Sequence, residues 1–267
     1  MPSRRHFLKG SCAFLLAALA GESSAHIPVE RGGQPIFKRK TWLPLIHLGA
    51  PASAFAPTER STRIYLPAVQ HALSDDLPLL GPASATMAQA IDWLVPRAVG
   101  YTADDIATIV DGYARIGASV NLDWFLALAQ MAHETGSLTS WWSQRPRRNP
   151  AGIGVTGATQ QGIPDDPPGP NWAWDGAKWR EGVSFAGWLE HAIPAHLGRL
   201  LAYALSDAQA TPSQKNLIAY ALTYRPLASD YRGIAPTITG LNGRWAIPGT
   251  SYGQSIVDLL GRMRDGV

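Results

Sequence analysis

"FLALAQMAHETG", residues 125–136, is the stretch on which the reading of this chain turns. Apolar side chains fall on nearly every side of a helix running from Leu122 to Thr135, and such a helix is buried over most of its surface. Gly136 supplies a C-terminal stop and Asn121 an N-terminal cap. Asp123, Gln130 and Glu134 lie seven and four positions apart and share one stripe. A polar stripe on an otherwise buried helix needs water or polar partners. The expectation is therefore a cleft wall, with Gln130 and Glu134 facing whatever binds there. Glu134 also sits in the last turn, where the helix carries partial negative charge. That charge and burial both disfavour the carboxylate and raise its pKa, which suits a general acid. The competing reading makes Glu134 structural, paired with Arg145, Arg147 or Arg148.

Outward from this segment the helical signals continue. Thr102 and Asp105 form a capping box ahead of Ile106, Ile109, Val110 and Tyr113, with Gly117 as the expected end. "TPSQ", residues 211–214, starts a helix to about Tyr224, with Pro at its first position. "SYGQ", residues 251–254, starts the last one, with Ile256, Val257, Leu260 and Met263 inward. Between Arg145 and Phe185 the chain is rich in Gly, Pro and Trp and has no helical period. These features predict a mainly α domain over 86–267 with an irregular or short-stranded insertion. Residues 26–85 contain eight prolines and only interrupted apolar runs, and read as a linker or an arm on the main domain.

The first 25 residues carry twin arginines, Arg4 and Arg5, then an apolar run from Cys12 to Ala20, then small residues before His26. That run is far short of the roughly 20 residues that span a bilayer. It reads as a removable twin-arginine export signal, placing the mature protein in the periplasm or outside the cell, with no membrane anchor. Cleavage removes Arg4, Arg5, Lys9 and Glu22 from totals of 23 basic and 20 acidic residues, leaving 20 and 19. A net charge near +1 gives no reason to invoke nucleic acid. The single cysteine, Cys12, leaves with the leader, which excludes disulfides and cysteine chemistry from the mature chain.

The residues after the central helix carry a resemblance. "HETGSLTSWWSQRPRRNPAGIGVTG", residues 133–157, resembles the motif of the bacterial endo-β-N-acetylglucosaminidases that cut peptidoglycan (glycoside hydrolase family 73). That family shows Glu-Ser-Gly near a helix end, a Ser a few residues on, then Asn-Asn-Leu-Phe-Gly-Ile. Glu134, Gly136, Ser140, Asn149, Gly152 and Ile153 match. Thr135 stands in place of the family's Ser, and Pro150-Ala151 depart from its pattern. "RWAIPGTSYGQSI", residues 244–256, looks like the family's closing segment, with Tyr252 as the Tyr that starts the last helix. The likeness extends over about Thr102 to Met263.

The resemblance implies a lysozyme-like helical fold, a cleft roofed by the insertion, and Glu134 as proton donor to the glycosidic oxygen. Tyr252 would position the reacting sugar or water. A second carboxylate does not transfer from the family; Asp165, Asp166, Asp175 and Glu181 are the candidates, with Asp175 and Glu181 preferred. The substrate's own acetamido group is the alternative to any of them. Ser140 and Asn149 belong to the expected substrate site, and Gly152 with Asn149 shapes a turn that lets backbone approach the sugar. Trp141, Trp142, Trp172, Trp174 and Trp179 flank the insertion. Trp142 and Trp179 are taken for sugar stacking and the others for packing.

Other patterns point elsewhere. "GTSYG", residues 249–253, fits a hydrolase nucleophile elbow, but no His follows His196 to complete a triad, so Ser251 reads as a helix cap. "HETGS" begins like the zinc-protease HExxH, but Ser137 occupies the second ligand position. A zinc hydrolase using His133, His191 and His196 is one alternative. A glycan-binding or wall-assembly module without activity is the other. The expectation is an exported, monomeric glycosidase acting on peptidoglycan strands, with no metal or cofactor.

Overall fold

The central helix forms where the sequence places it, but its cap is different. In the computed structural model, which describes residues 76–267, α3 (Trp124–Thr135) is capped by Asp123, not Asn121. The Asp123 carboxylate accepts hydrogen bonds from the backbone N–H of Phe125 and Leu126 at 3.0 and 3.1 Å. It takes a third, from Ser84, at 3.1 Å. Asn121 instead turns the chain two residues earlier with a positive φ of 53°. Gly136 ends the helix in the left-handed conformation, φ 58°, and the Ser137 N–H closes the turn on the Ala132 carbonyl at 2.7 Å. Phe125, Leu126 and Leu128 are sealed from solvent, each contributing about 1.5–3 kcal/mol of burial free energy.

Three helices wrap α3. They are α1 (Met87–Leu94), α2 (Ala103–Ser119) and α6 (Tyr252–Asp265). α1 and α2 start on the Thr86/Gln89 and Thr102/Asp105 capping boxes. α2 runs two residues past Gly117, the expected end. A Cβ at that position would lie 2.5 Å from the Trp124 Cβ, so glycine there serves close packing rather than termination. In α6 the expected inward residues Ile256, Val257, Leu260 and Met263 are all buried.

A second pair crosses this bundle. α4 (Ile193–Ala204) grows out of a π-helical turn at Trp188–Ala192 and packs on α5 (Pro212–Tyr224). The Thr211 capping box and Pro212 start α5 as read from the sequence. Between α3 and α4 lies the insertion, which holds a small antiparallel sheet of β1 (Thr159–Gln160), β2 (Trp172–Trp174) and β3 (Trp179–Glu181) in the order β1-β3-β2. Trp174 pairs with Trp179 across its inner edge. The architecture is thus mainly α with one short-stranded insertion.

Residues 76–85 are sewn into the helical unit. Leu79 is buried, its N–H bonds Pro236 O and its carbonyl accepts from Asp123, both at 2.9 Å. The export signal and residues 26–75 of the arm lie outside the described residues. Among the described residues no helix is long and apolar enough to cross a membrane.

Candidate active site

Glu134, in the last turn of α3, lines a cavity of about 440 Å³. The loop Ala151–Val155 forms one wall. α4 supplies Arg199 and Tyr203, the end of α5 supplies Arg225, and the segment before α6 closes the rim with Arg244 and Trp245. Of the insertion, only residues 151–155 reach this cavity; the sheet does not roof it.

The carboxyl of Glu134 is held from behind. Tyr252, the first residue of α6, donates its hydroxyl proton to Oε1 at 2.5 Å. Oε2 faces Gly152, where an added Cβ would stand 3.7 Å away. Gly152 has φ 60°, a conformation that favours glycine, and the loop backbone passes close to the acid. Burial pushes the Glu134 pKa up, and hydrogen bonds from Tyr252 and Trp245 oppose that rise in part. The hydroxyl of Tyr252 is itself held far from ionisation, first by burial and then by the adjacent Glu134 charge. It therefore remains a donor at any working pH.

Behind Tyr252 a hydrogen-bonded chain crosses the core. Gln130 Nε2 donates to the Tyr252 hydroxyl at 2.7 Å, and Gln130 Oε1 meets His196 Nε2 at 3.0 Å. His196 Nδ1 meets the Tyr113 hydroxyl at 2.8 Å. Oε1 accepts whether the group is a carboxylate or an acid carrying its proton on Oε2, so the Tyr252 proton points to Glu134 and its lone pair takes the Gln130 amide. That fixes the amide oxygen toward His196, so Nε2 carries the imidazole proton and Nδ1 accepts from Tyr113. Burial drives the His196 pKa down to about 3, consistent with a neutral ring. The donors all run one way, from Tyr113 to Glu134.

Several expected site residues lie elsewhere. Gln130 is fully buried; its polar stripe meets Tyr252 and His196, not water, so it holds the site rather than the substrate. Asn149 is also fully buried. Its amide bonds the carbonyls of Ile153 and Val183, and its oxygen accepts from Ala151 and Ile153. It shapes the loop wall without touching the cavity. Ser140 bonds Ser143. Asp175 pairs with Arg180 at 2.6 Å and caps the turn at Ala177 and Lys178. Those two backbone N–H bonds hold its pKa at about 2. Glu181 accepts from the Thr156 hydroxyl. Neither carboxylate lines the cavity of Glu134.

Trp142 and Asp175 instead border a separate depression with Trp141 and Arg180. Trp179 is buried against Trp174 and donates its indole N–H to Ile163. Asp165 and Asp166 sit in exposed loop. The arginine clamp does not form: Arg145 pairs with Asp105, and Arg147 and Arg148 bond backbone carbonyls. The three histidines of the zinc alternative take separate partners. His191 bonds Tyr220, His196 lies in the core chain, and His133 packs its ring on Tyr252. Ser251 precedes α6 without capping it; Asn242 Oδ1 takes the Gly253 N–H instead.

The sequence reading did not single out Arg199, Arg225 or Trp245. Trp245 packs on His196 and Tyr203 and belongs to the closing segment already quoted. No family model matches the chain, and comparison with curated proteins and with solved structures finds no match.

Proposed function

We propose that the chain is an exported, lysozyme-like glycoside hydrolase that cleaves β-1,4 links at N-acetylglucosamine in peptidoglycan. One observation carries the reading: a half-buried carboxyl of raised pKa stands at an open cavity, with one oxygen anchored and the other toward the binding wall. The proton on Oε2 passes to the glycosidic oxygen as the bond to the anomeric carbon breaks. The Tyr252 hydrogen bond to Oε1 strengthens as negative charge develops on the carboxyl. The family motif and the twin-arginine leader support the substrate and the location.

Among the described residues Glu134 is the only carboxylate lining the cavity. This favours the acetamido route over a carboxylate pair. The carbonyl oxygen of the 2-acetamido group bonds to the anomeric carbon while the leaving oxygen takes the proton from Glu134. The resulting carboxylate then draws a proton from water, whose oxygen opens the cyclic intermediate and restores the acetamido group.

Glu134→Gln keeps the shape and an acceptor for Tyr252 but removes the proton, so release of reducing ends from purified sacculi falls by about 100- to 10,000-fold. Mass spectrometry of the products identifies the bond cut. Nuclear magnetic resonance of the first-formed anomer shows retained configuration on the acetamido route. Undiminished lysis by the variant sinks the acid assignment, and inversion sinks the acetamido route. A glycan-binding module without activity would bind sacculi and release no reducing ends.

A further inference from the structure

The cavity of Glu134 holds more positive charge than a neutral sugar requires. Arg199, Arg225 and Arg244 all line it, against one carboxyl. Arg199 is only 8% exposed. Its guanidinium bonds the Arg225 carbonyl at 2.9 Å and lies 5.7 Å from the rings of both Tyr203 and Trp245. Arg225 and Arg244 are exposed at the rim, and Arg244 bonds the Gly240 carbonyl at 2.8 Å. Among the described residues none of the three forms an ion pair. Elsewhere Arg145, Arg180 and Arg232 each meet an Asp at 2.6 Å.

Three guanidiniums at one cavity repel each other, and burying one without a counter-charge is costly. Burial first, and then the neighbouring Arg225 charge, work against the protonated form of Arg199. The carbonyl bonds of Arg199 and Arg244 leave the three charges without a counter-ion, and the cluster becomes favourable when an anion enters. The planar N–H forks of arginine match a carboxylate with two parallel hydrogen bonds.

We propose that Arg199, Arg225 and Arg244 form a carboxylate subsite beside Glu134, so that the cavity selects acidic β-1,4 glycan strands over neutral ones. This rests on the glycosidase reading and names its substrate class. In peptidoglycan two sources carry the group. Peptide-free strands expose the lactyl carboxylate of the sugar itself; in peptide-bearing strands that group is an amide and the carboxylates lie on the stem.

The test is calorimetric binding to full-length Glu134→Gln protein, in which catalysis is off. The ligands are peptide-free strands, peptide-bearing strands and neutral N-acetylglucosamine oligomers of equal length. At least one acidic ligand binds about ten-fold or more tighter than the neutral one, and added salt erodes the difference. Adding Arg225→Gln and Arg244→Gln brings that ratio to within about two-fold. These exposed positions leave the fold intact by circular dichroism, and Arg225→Gln alone gives a partial loss of the ratio if the double change does not fold. Which acidic strand is preferred identifies the source of the carboxylate. Equal binding of acidic and neutral ligands, no binding of either, or a preference that survives the arginine changes overturns the subsite. Wild-type protein showing the preference but cutting no strand overturns the glycosidase reading alone.

Discussion

Tyr252 is where the chemistry of a single residue is most open to test. Its hydroxyl donates to Glu134 and accepts from Gln130, so Tyr252→Phe removes one bond that favours the carboxylate and orphans a buried amide. On the proposed mechanism the protonated acid is the working form, and activity falls as pH rises through the Glu134 pKa. Loss of a donor to the carboxylate raises that pKa, so the falling limb of the pH–rate profile moves to higher pH. Turnover drops because Oε1 is no longer held. The expected result is a 10- to 100-fold loss of kcat with the limb displaced upward, and a stability loss of about 1–3 kcal/mol from the unsatisfied Gln130 N–H. A variant whose limb stays in place shows that Tyr252 does not touch the acid. Glu134 and Tyr252 were legible in the sequence because each stands in a local motif, a helix end and a helix start. Their linkage through Gln130 and His196 was not. Successive partners in that chain lie 118, 122, 66 and 83 residues apart, and no local pattern records such pairings. Gln130 was visible as a polar position on a buried helix, but the stripe could not say whether water or another side chain met it.

Among the elements, α4 went unread for a physical reason. It grows out of a π-helical turn, and neither Gly187 before that turn nor Ala192 before the helix offers a side-chain cap, so no start signal marks it even though His196, Arg199 and Tyr203 share one stripe. α2 and α5 open on Thr capping boxes, which mark their starts in the sequence. α4 also supplies Arg199 and Tyr203 to the cavity, and its seat on α5 depends on Gly198. A Cβ there would stand 2.2 Å from the Leu217 carbonyl oxygen and 2.8 Å from the Ala221 Cβ. The first neighbour is backbone and cannot rotate away. Gly198→Ala therefore forces the two helices apart, with a loss of about 1–3 kcal/mol or more in urea unfolding. Because Arg199 follows directly and Arg225 ends α5, the proposed strand binding weakens along with stability. Full retention of stability would mean that α4 and α5 do not cross as closely as described.

Across the whole molecule, the hydrogen-bonded chain ties four helices at their common centre: α2 through Tyr113, α3 through Gln130, α4 through His196 and α6 through Tyr252. A protonated His196 cannot keep this arrangement, since Nδ1 must accept from Tyr113 while buried. Its folded pKa is about 3 against an ordinary value of 6.5. The depressed value means that the stabilisation is complete above pH 6.5 and is lost as pH falls toward 3. Within that window the unfolded chain binds one proton that the folded chain refuses, so stability drops by about 1.4 kcal/mol per pH unit from this group. His196→Gln removes the titration and the ring packing together. It lowers stability at pH 7 by about 2–4 kcal/mol and flattens the pH dependence between 6 and 4 relative to wild type. Urea midpoints measured across that range in both proteins give the difference directly, free of the carboxylates that titrate in each. Parallel curves would mean that His196 reaches solvent, and that the centre of the bundle is not the closed junction from which the Glu134 site is held.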